Sequence, residues 1–182
     1  MYGITCAEDS DEATFLAQAE RALAQGLRLL QVRDKTWPLT RRLALARRLV
    51  AMAHPVGARV LWNGTAEEAR DAGCDGVHWP AALLAQATER PRDLLMGASC
   101  HTREEIAHAG TIDLDFAVLG PVAATPTHPD AVPLGWERFA ETLAATRVPV
   151  FALGGLVLDD LSRAVAAGAH GIALRRAGWR LT

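Results

Sequence analysis

The segment QVRDK, residues 31–35, sets three polar side chains at alternate positions behind the apolar run of Leu29 and Leu30. Alternate residues of a strand share a face, so Gln31, Arg33 and Lys35 point one way and Val32 the other. Cationic and amide groups aimed into a protein interior are costly unless they meet a ligand or one another. Two readings stay open: a basic lining for an anionic ligand, or an interior layer of mutually satisfied salt bridges and hydrogen bonds. Further polar residues close other apolar runs: Asn63, His78, and the trio Ser99, Cys100 and His101. A buried strand-end histidine is usually hydrogen-bonded scaffolding, which is the reading given to His78. Together His78, Cys100, His101 and His128 could supply zinc from separate loops, but they lack an HxxxH or CxxC spacing. Ser99 has no GxSxG around it to mark a nucleophile.

A third set gathers around ALGGL, where Gly154 and Gly155 follow another apolar run. Paired glycines serve a tight turn, or let backbone N–H groups approach an anion with no side chain between. Upstream, residues 116–136 read FAVLGPVAATPTHPDAVPLGW, and a helical pattern resumes near Trp136. The stretch between is longer than usual strand-to-helix connections, as functional or disordered loops are. It carries Thr125, Thr127 and His128, while Arg175 and Arg176 close the last apolar run. Hydroxyls, backbone amides and nearby cations are what a phosphate monoester requires, so this loop reads as a ligand clamp.

These residues need a frame that brings strand ends together. Eight short apolar runs read as strands: residues 2–5, 28–33, 59–63, 76–79, 94–99, 116–120, 149–154 and 171–176. They are mostly continuous rather than alternating, as in a parallel sheet covered on both faces. Helical stripes lie between them, with Phe15, Leu16, Ala19, Ala22 and Leu23 on the first helix and Leu39, Leu43, Ala46, Leu49 and Val50 on the second. Thr36 and Pro38 suit the start of that second helix. Thr65 with Glu68, and Thr102 with Glu105, have capping-box spacing. Gly26, Gly73, Gly110 and Gly168 stand where a helix end takes positive φ. Eight such units predict an α/β fold, a compact (β/α)8 TIM barrel forming one domain over residues 1–182. After the eighth strand only AGWRLT remains, so the last helix is expected to be missing or vestigial. That would leave apolar surface near Leu174 and Trp179 for a partner domain or a second subunit to cover. In this fold, chemistry sits at the C-terminal strand ends.

Composition narrows the class. The 182 residues are half apolar and carry a net charge of −2, without basic runs, so no nucleic-acid partner is expected. No stretch approaches the roughly 20 apolar residues of a membrane span. The opening MYGITCAEDSDEA is acidic where a secretory signal is basic. Cys6, Cys74 and Cys100 are widely spaced and read as reduced thiols of a cytoplasmic protein.

In combination these motifs resemble one family. QVRDK resembles the QxRxK signature of thiamine-phosphate synthases, YGIT their opening strand, and DGVHW their GVHLG segment. GASCHT resembles their GxSxH segment, GPVAATPTHPDAVPLGW their TxTK loop, and ALGGL their AIGGI. The sibling branch, TenI, is a thiazole tautomerase. The wording around SCH, DFAVLGPV and VPVFALGG is most similar to TenI-like domains fused behind MutT-type Nudix hydrolases in bacteria. No Nudix box is present, so the chain would be that barrel alone.

The resemblance implies that Gln31, Arg33, Lys35, Asn63 and Ser99 hold a pyrimidine diphosphate, with Mg²⁺. It also implies that Thr125, Thr127 and Gly155, with amides after the eighth strand, hold a thiazole phosphate. Loss of pyrophosphate gives a pyrimidine cation that the thiazole nitrogen captures. On this reading Arg33, Lys35 and Ser99 are the catalytic set, and Gln31, Asn63, Thr125, Thr127, His128, Gly154, Gly155 and Arg175 bind ligand. The sequence departs from the family pattern at both expected magnesium carboxylates, which are Gly64 and Leu83 here, and at the loop lysine, which is His128. Arg176, or Arg175, replaces the serine after the eighth strand, and Pro121 replaces the TenI histidine. The expected partner is therefore a small phosphorylated thiazole or pyrimidine, handled by a synthase weakened at its metal site. The other reading is a non-catalytic phosphate-sensing module working as a homodimer or with a Nudix domain.

Overall fold

The computed structural model describes residues 1–127 and 129–179. Eight parallel strands close into a barrel in chain order: β1 Tyr2–Ile4, β2 Leu29–Val32, β3 Arg59–Asn63, β4 Gly76–Trp79, β5 Leu95–Cys100, β6 Phe116–Leu119, β7 Val150–Leu153 and β8 Gly171–Leu174. Closure is made by β1, which pairs Gly3 with Leu30 of β2 and Tyr2 with Ala173 of β8. The ring of helices is α1 Glu12–Ala24, α2 Leu39–Ala53, α3 Ala66–Ala72, α4 Ala81–Leu84, α5 Arg103–Thr111, α6 Gly135–Leu143 and α7 Leu161–Ala166. This is the (β/α)8 architecture that the strand and helix grammar predicts.

Two apolar bodies hold it together. Inside the barrel, Tyr2, Ile4, Leu61, Phe116, Val118, Phe151 and Ala173 form one cluster. A much larger one lies between the strands and the helices. The interior takes its large rings because glycine gives way opposite them: a Cβ on Gly97 would stand 2.4 Å from the Phe116 ring. Tyr2, Phe116 and Phe151 then meet edge to face or tilted, with centroids 5.2–5.7 Å apart.

Local signals hold in part. Both capping boxes form, Thr65 with Glu68 and Thr102 with Glu105, and Gly26, Gly73 and Gly168 take positive φ. Gly110 does not: α5 runs through it, and Asp113 (φ 61°) makes the left-handed turn instead. Aspartate tolerates that region better than most residues. On α2 the buried face is Leu45, Ala46, Leu49 and Ala53, while Leu39 is 41 % exposed. Pro38 caps this helix, and Thr36 instead gives its backbone N–H and hydroxyl to Glu8.

Among the described residues the bare patch expected near Leu174 and Trp179 is absent, because both are buried. After β8 the described chain forms a short 3-10 turn, Ala177–Trp179, rather than a full helix. Trp179 is 3 % exposed, stacks edge-on against Phe15 at 4.9 Å and donates its indole N–H to the Ile4 carbonyl at 2.7 Å. This side chain packs into the outer core where a full helix would lie, and Leu174 is buried in the same cluster.

Candidate active site at the strand C-termini

A cavity of about 850 Å³ opens at the C-terminal ends of the strands. Its floor is a hydrogen-bond chain built from strand-interior residues. Gln31 Nε2 donates to the Tyr2 hydroxyl (2.9 Å), which faces His78 Nδ1 (3.2 Å), while His78 Nε2 faces Ser99 Oγ (2.9 Å). Direction follows from donor arithmetic. Because Tyr2 accepts from Gln31, its proton goes to Nδ1, so His78 carries its own proton on Nε2 and gives it to Ser99. Ser99 borders the cavity, and with His78 donating to its Oγ its own O–H is left to give to a ligand there. The chain works only with a neutral imidazole, and burial, with Arg33 and Lys35 adding repulsion, pushes the His78 pKa down to about 3.

The basic wall comes from β2 and β8. A buried brace aims it: Thr5 Oγ1 donates to Asp34, whose other oxygen accepts the Glu8 N–H, and Thr5 Oγ1 accepts from Arg33 N at 2.8 Å. Asp34 is fully buried, and that burial raises its pKa. Arg33 and Lys35 both border the cavity and form no ion pair among the described residues. Each has its pKa lowered, first by burial and then by a neighbouring cation, Arg175 for Arg33 and Arg33 for Lys35. Arg175 stands on the same side but is tethered, to Glu8 at 2.7 Å and to Asp9 at 3.1 Å. Arg176 pairs with Asp9 at 2.7 Å, and it is Arg176, not Arg175, that reaches Thr127, at 3.5 Å.

The opposite wall is the long β6–α6 connection. Its ends are clamped, since Leu134 and Gly135 donate to the carbonyls of Pro121 and Val122. Val122 N and Ala123 N are stitched to the carbonyls of Leu153 and Gly154, at 2.8 and 2.9 Å. The approach is close enough to demand glycine: a Cβ on Gly155 (φ 66°) would lie 2.4 Å from the Ala124 carbonyl oxygen. Thr125 and Thr127 therefore border the same cavity as Gly154 and Gly155. His128 lies outside the described residues. His101 also lines the mouth, donating from Nδ1 to the Gly120 carbonyl at 2.7 Å.

Metal readings find little support. Among the described residues no three His, Cys, Asp or Glu side chains are grouped to hold a metal. Cys100 packs into the outer core, its thiol pushed up to about 12 by burial, so it does not join His78 and His101 in a zinc site. Nor does the mouth fit Mg²⁺, a hard cation usually anchored by one or two carboxylates. The residue after Asn63 is Gly64, and a Cβ there would meet Glu68 Oε2 at 2.5 Å and Trp62 Nε1 at 2.6 Å. Those two atoms are hydrogen-bonded to each other at 2.8 Å and fill the space. Leu83 lies in α4 against the outer apolar core.

Sequence reading missed Tyr2, Glu8, Asp9 and Asp34. Tyr2 gave a signal, as a phenol facing a barrel interior needs a partner. The acids gave none, because their partners lie in connections 26 to 167 residues away.

Fold and mouth together define a class: a (β/α)8 barrel with a cavity basic on one side and glycine-walled on the other. The chain belongs to the thiamine monophosphate synthase family, whose model matches residues 1–177. A protein of Geobacter sulfurreducens, provisionally named thiamine-phosphate synthase, is 38 % identical over 180 residues, covering 96 % of this chain and 84 % of the relative. The thiamine-phosphate synthase of Thioalkalivibrio sulfidiphilus is 34 % identical, with 96 % and 84 % covered. Among solved structures, thiamine phosphate pyrophosphorylase from Pyrococcus furiosus superposes with a TM-score of 0.79 at 24 % identity, covering 96 % of this chain and 84 % of that one, and shares the fold.

Proposed function

We propose that this chain joins a pyrimidine diphosphate to a thiazole phosphate, giving thiamine phosphate and pyrophosphate. Family membership supports the reaction class. The observation that carries the substrate assignment is the pair Arg33 and Lys35, cations at a cavity that form no ion pair among the described residues, the nearby Glu8 being bonded to Arg175 and Thr36. An anion is the partner such a wall lacks.

The chemistry divides between the walls. The bond from the pyrimidine methylene carbon to the diphosphate oxygen breaks, and its electron pair leaves with the diphosphate. Arg33 and Lys35 stabilise the charge that gathers there, and Ser99, its O–H left free by His78, donates a hydrogen bond to the same group. The thiazole nitrogen then gives its lone pair to the methylene cation. Holding that nitrogen in line is the work of the second wall, where Thr125, Thr127, Gly154 and Gly155 take the thiazole phosphate. Gln31 and Asn63 supply the interior polar floor. The test is direct: purified protein mixed with both substrates should form thiamine phosphate in proportion to enzyme. No product at high enzyme would defeat the synthase reading.

A second reading is binding without turnover, in a module that senses a thiamine-type phosphate for a partner such as a Nudix hydrolase. The apolar and glycine residues at the two expected carboxylate positions favour it. Calorimetric binding of thiamine phosphate with no product formed would select this reading.

A further inference from the structure

Every carboxylate near the basic wall is already engaged. Glu8 spends Oε1 on Arg175 and Oε2 on Thr36, and Asp9 spends both oxygens on Arg175 and Arg176. Asp34 is fully buried with both oxygens accepting, from Thr5 and from Glu8 N. Only Asp130, on the long loop, borders the cavity as an acid among the described residues. At position 64 the obstacle is steric, because the bonded indole and carboxylate of Trp62 and Glu68 occupy the path of any side chain. Glu68 cannot swing aside cheaply, since the same oxygen also caps α3 through Thr65 N at 3.0 Å.

The cations show the opposite pattern. Arg33 and Lys35 crowd each other, Arg175 repels Arg33, and the buried Nε of Arg175 has no hydrogen-bond partner. Four like charges border the cavity, and only Arg175 and Arg176 are ion-paired among the described residues, to Glu8 and Asp9. A divalent ion added there would meet repulsion from all four, and the one carboxylate bordering the cavity among the described residues, Asp130, stands on the loop of the opposite wall. A polyanion would relieve the crowding.

We infer that the diphosphate group is bound without a bridging divalent metal, its charge neutralised by Arg33, Lys35 and Arg175. This rests on the reading of the mouth as a diphosphate site, and the two can be separated by one set of titrations. Inorganic pyrophosphate is titrated calorimetrically into the full chain, once in excess EDTA and once in excess Mg²⁺. The expected result is saturable binding in EDTA, with apparent affinity unchanged or weakened by Mg²⁺, which sequesters the ligand. Arg33→Gln should weaken binding at least tenfold in EDTA, and circular dichroism of that variant checks its fold. Binding that appears only with Mg²⁺, or tightens tenfold with it, overturns metal independence and leaves the diphosphate site standing. Absence of binding in both buffers overturns both.

Discussion

Acidification should disclose the neutral histidine at the centre of the floor. His78 is 1 % exposed and hydrogen-bonded at both nitrogens, and its pKa falls from an ordinary 6.5 to about 3 in the fold. Below about pH 6.5 the unfolded chain takes up a proton on this residue and the folded chain does not, so stability falls as pH falls. From those two values the residue's contribution at pH 5 is a loss of about 2 kcal/mol, against almost none at pH 7.5. Asp34 works the other way: burial favours its neutral form, so acidification below its raised pKa stabilises the fold. The comparator is therefore His78→Gln, which keeps Asp34 and can still accept from Tyr2 and donate to Ser99. Urea unfolding at both pH values should show the wild type losing about 2 kcal/mol more than the variant between them. Equal losses in the two proteins would refute the argument. So would a nitrogen NMR titration showing His78 protonated in the folded state at pH 5.

Other consequences follow from single contacts. Trp179→Ala should cost about 3–5 kcal/mol in urea unfolding, because it removes a buried indole packed against Phe15. Arg175→Gln leaves Glu8 without its cation, while Asp9 keeps Arg176, and should destabilise by about 3 kcal/mol, with Glu8→Gln in the same chain recovering part of the loss. Gly155→Ala must move the Ala123–Ala124 backbone, and a cost of about 1–3 kcal/mol with weakened thiazole phosphate binding is expected by calorimetry.

The strand ends were legible because each apolar run in a parallel barrel stops where polar residues begin, and QVRDK, RVLWN and LLMGAS stop at the mouth. Alternation placed Gln31 and Arg33 correctly, since period two leaves no freedom once one face is buried. The α2 stripe was misplaced by a fraction of a turn because the helix carries apolar residues beyond its buried face, Leu39 among them. Sequence spacing brought Arg175 to the mouth as a ligand-binding residue but did not show what holds it there. Its tether to Glu8 and Asp9 spans the closure of the barrel, a contact no local pattern encodes. Trp179 was invisible for a similar reason: nothing in AGWRLT tells that one indole lies across β1 and α1.

No described helix is long and apolar enough to cross a membrane, and the three cysteines are buried free thiols. Where phosphorus sits in the mouth is the deciding measurement. A crystal grown with thiazole phosphate and pyrophosphate should carry the phosphate beside Thr125, Thr127 and Gly155, and the pyrophosphate against Arg33 and Lys35. Phosphorus found away from both walls, with Arg33 and Lys35 turned out to solvent, would contradict it.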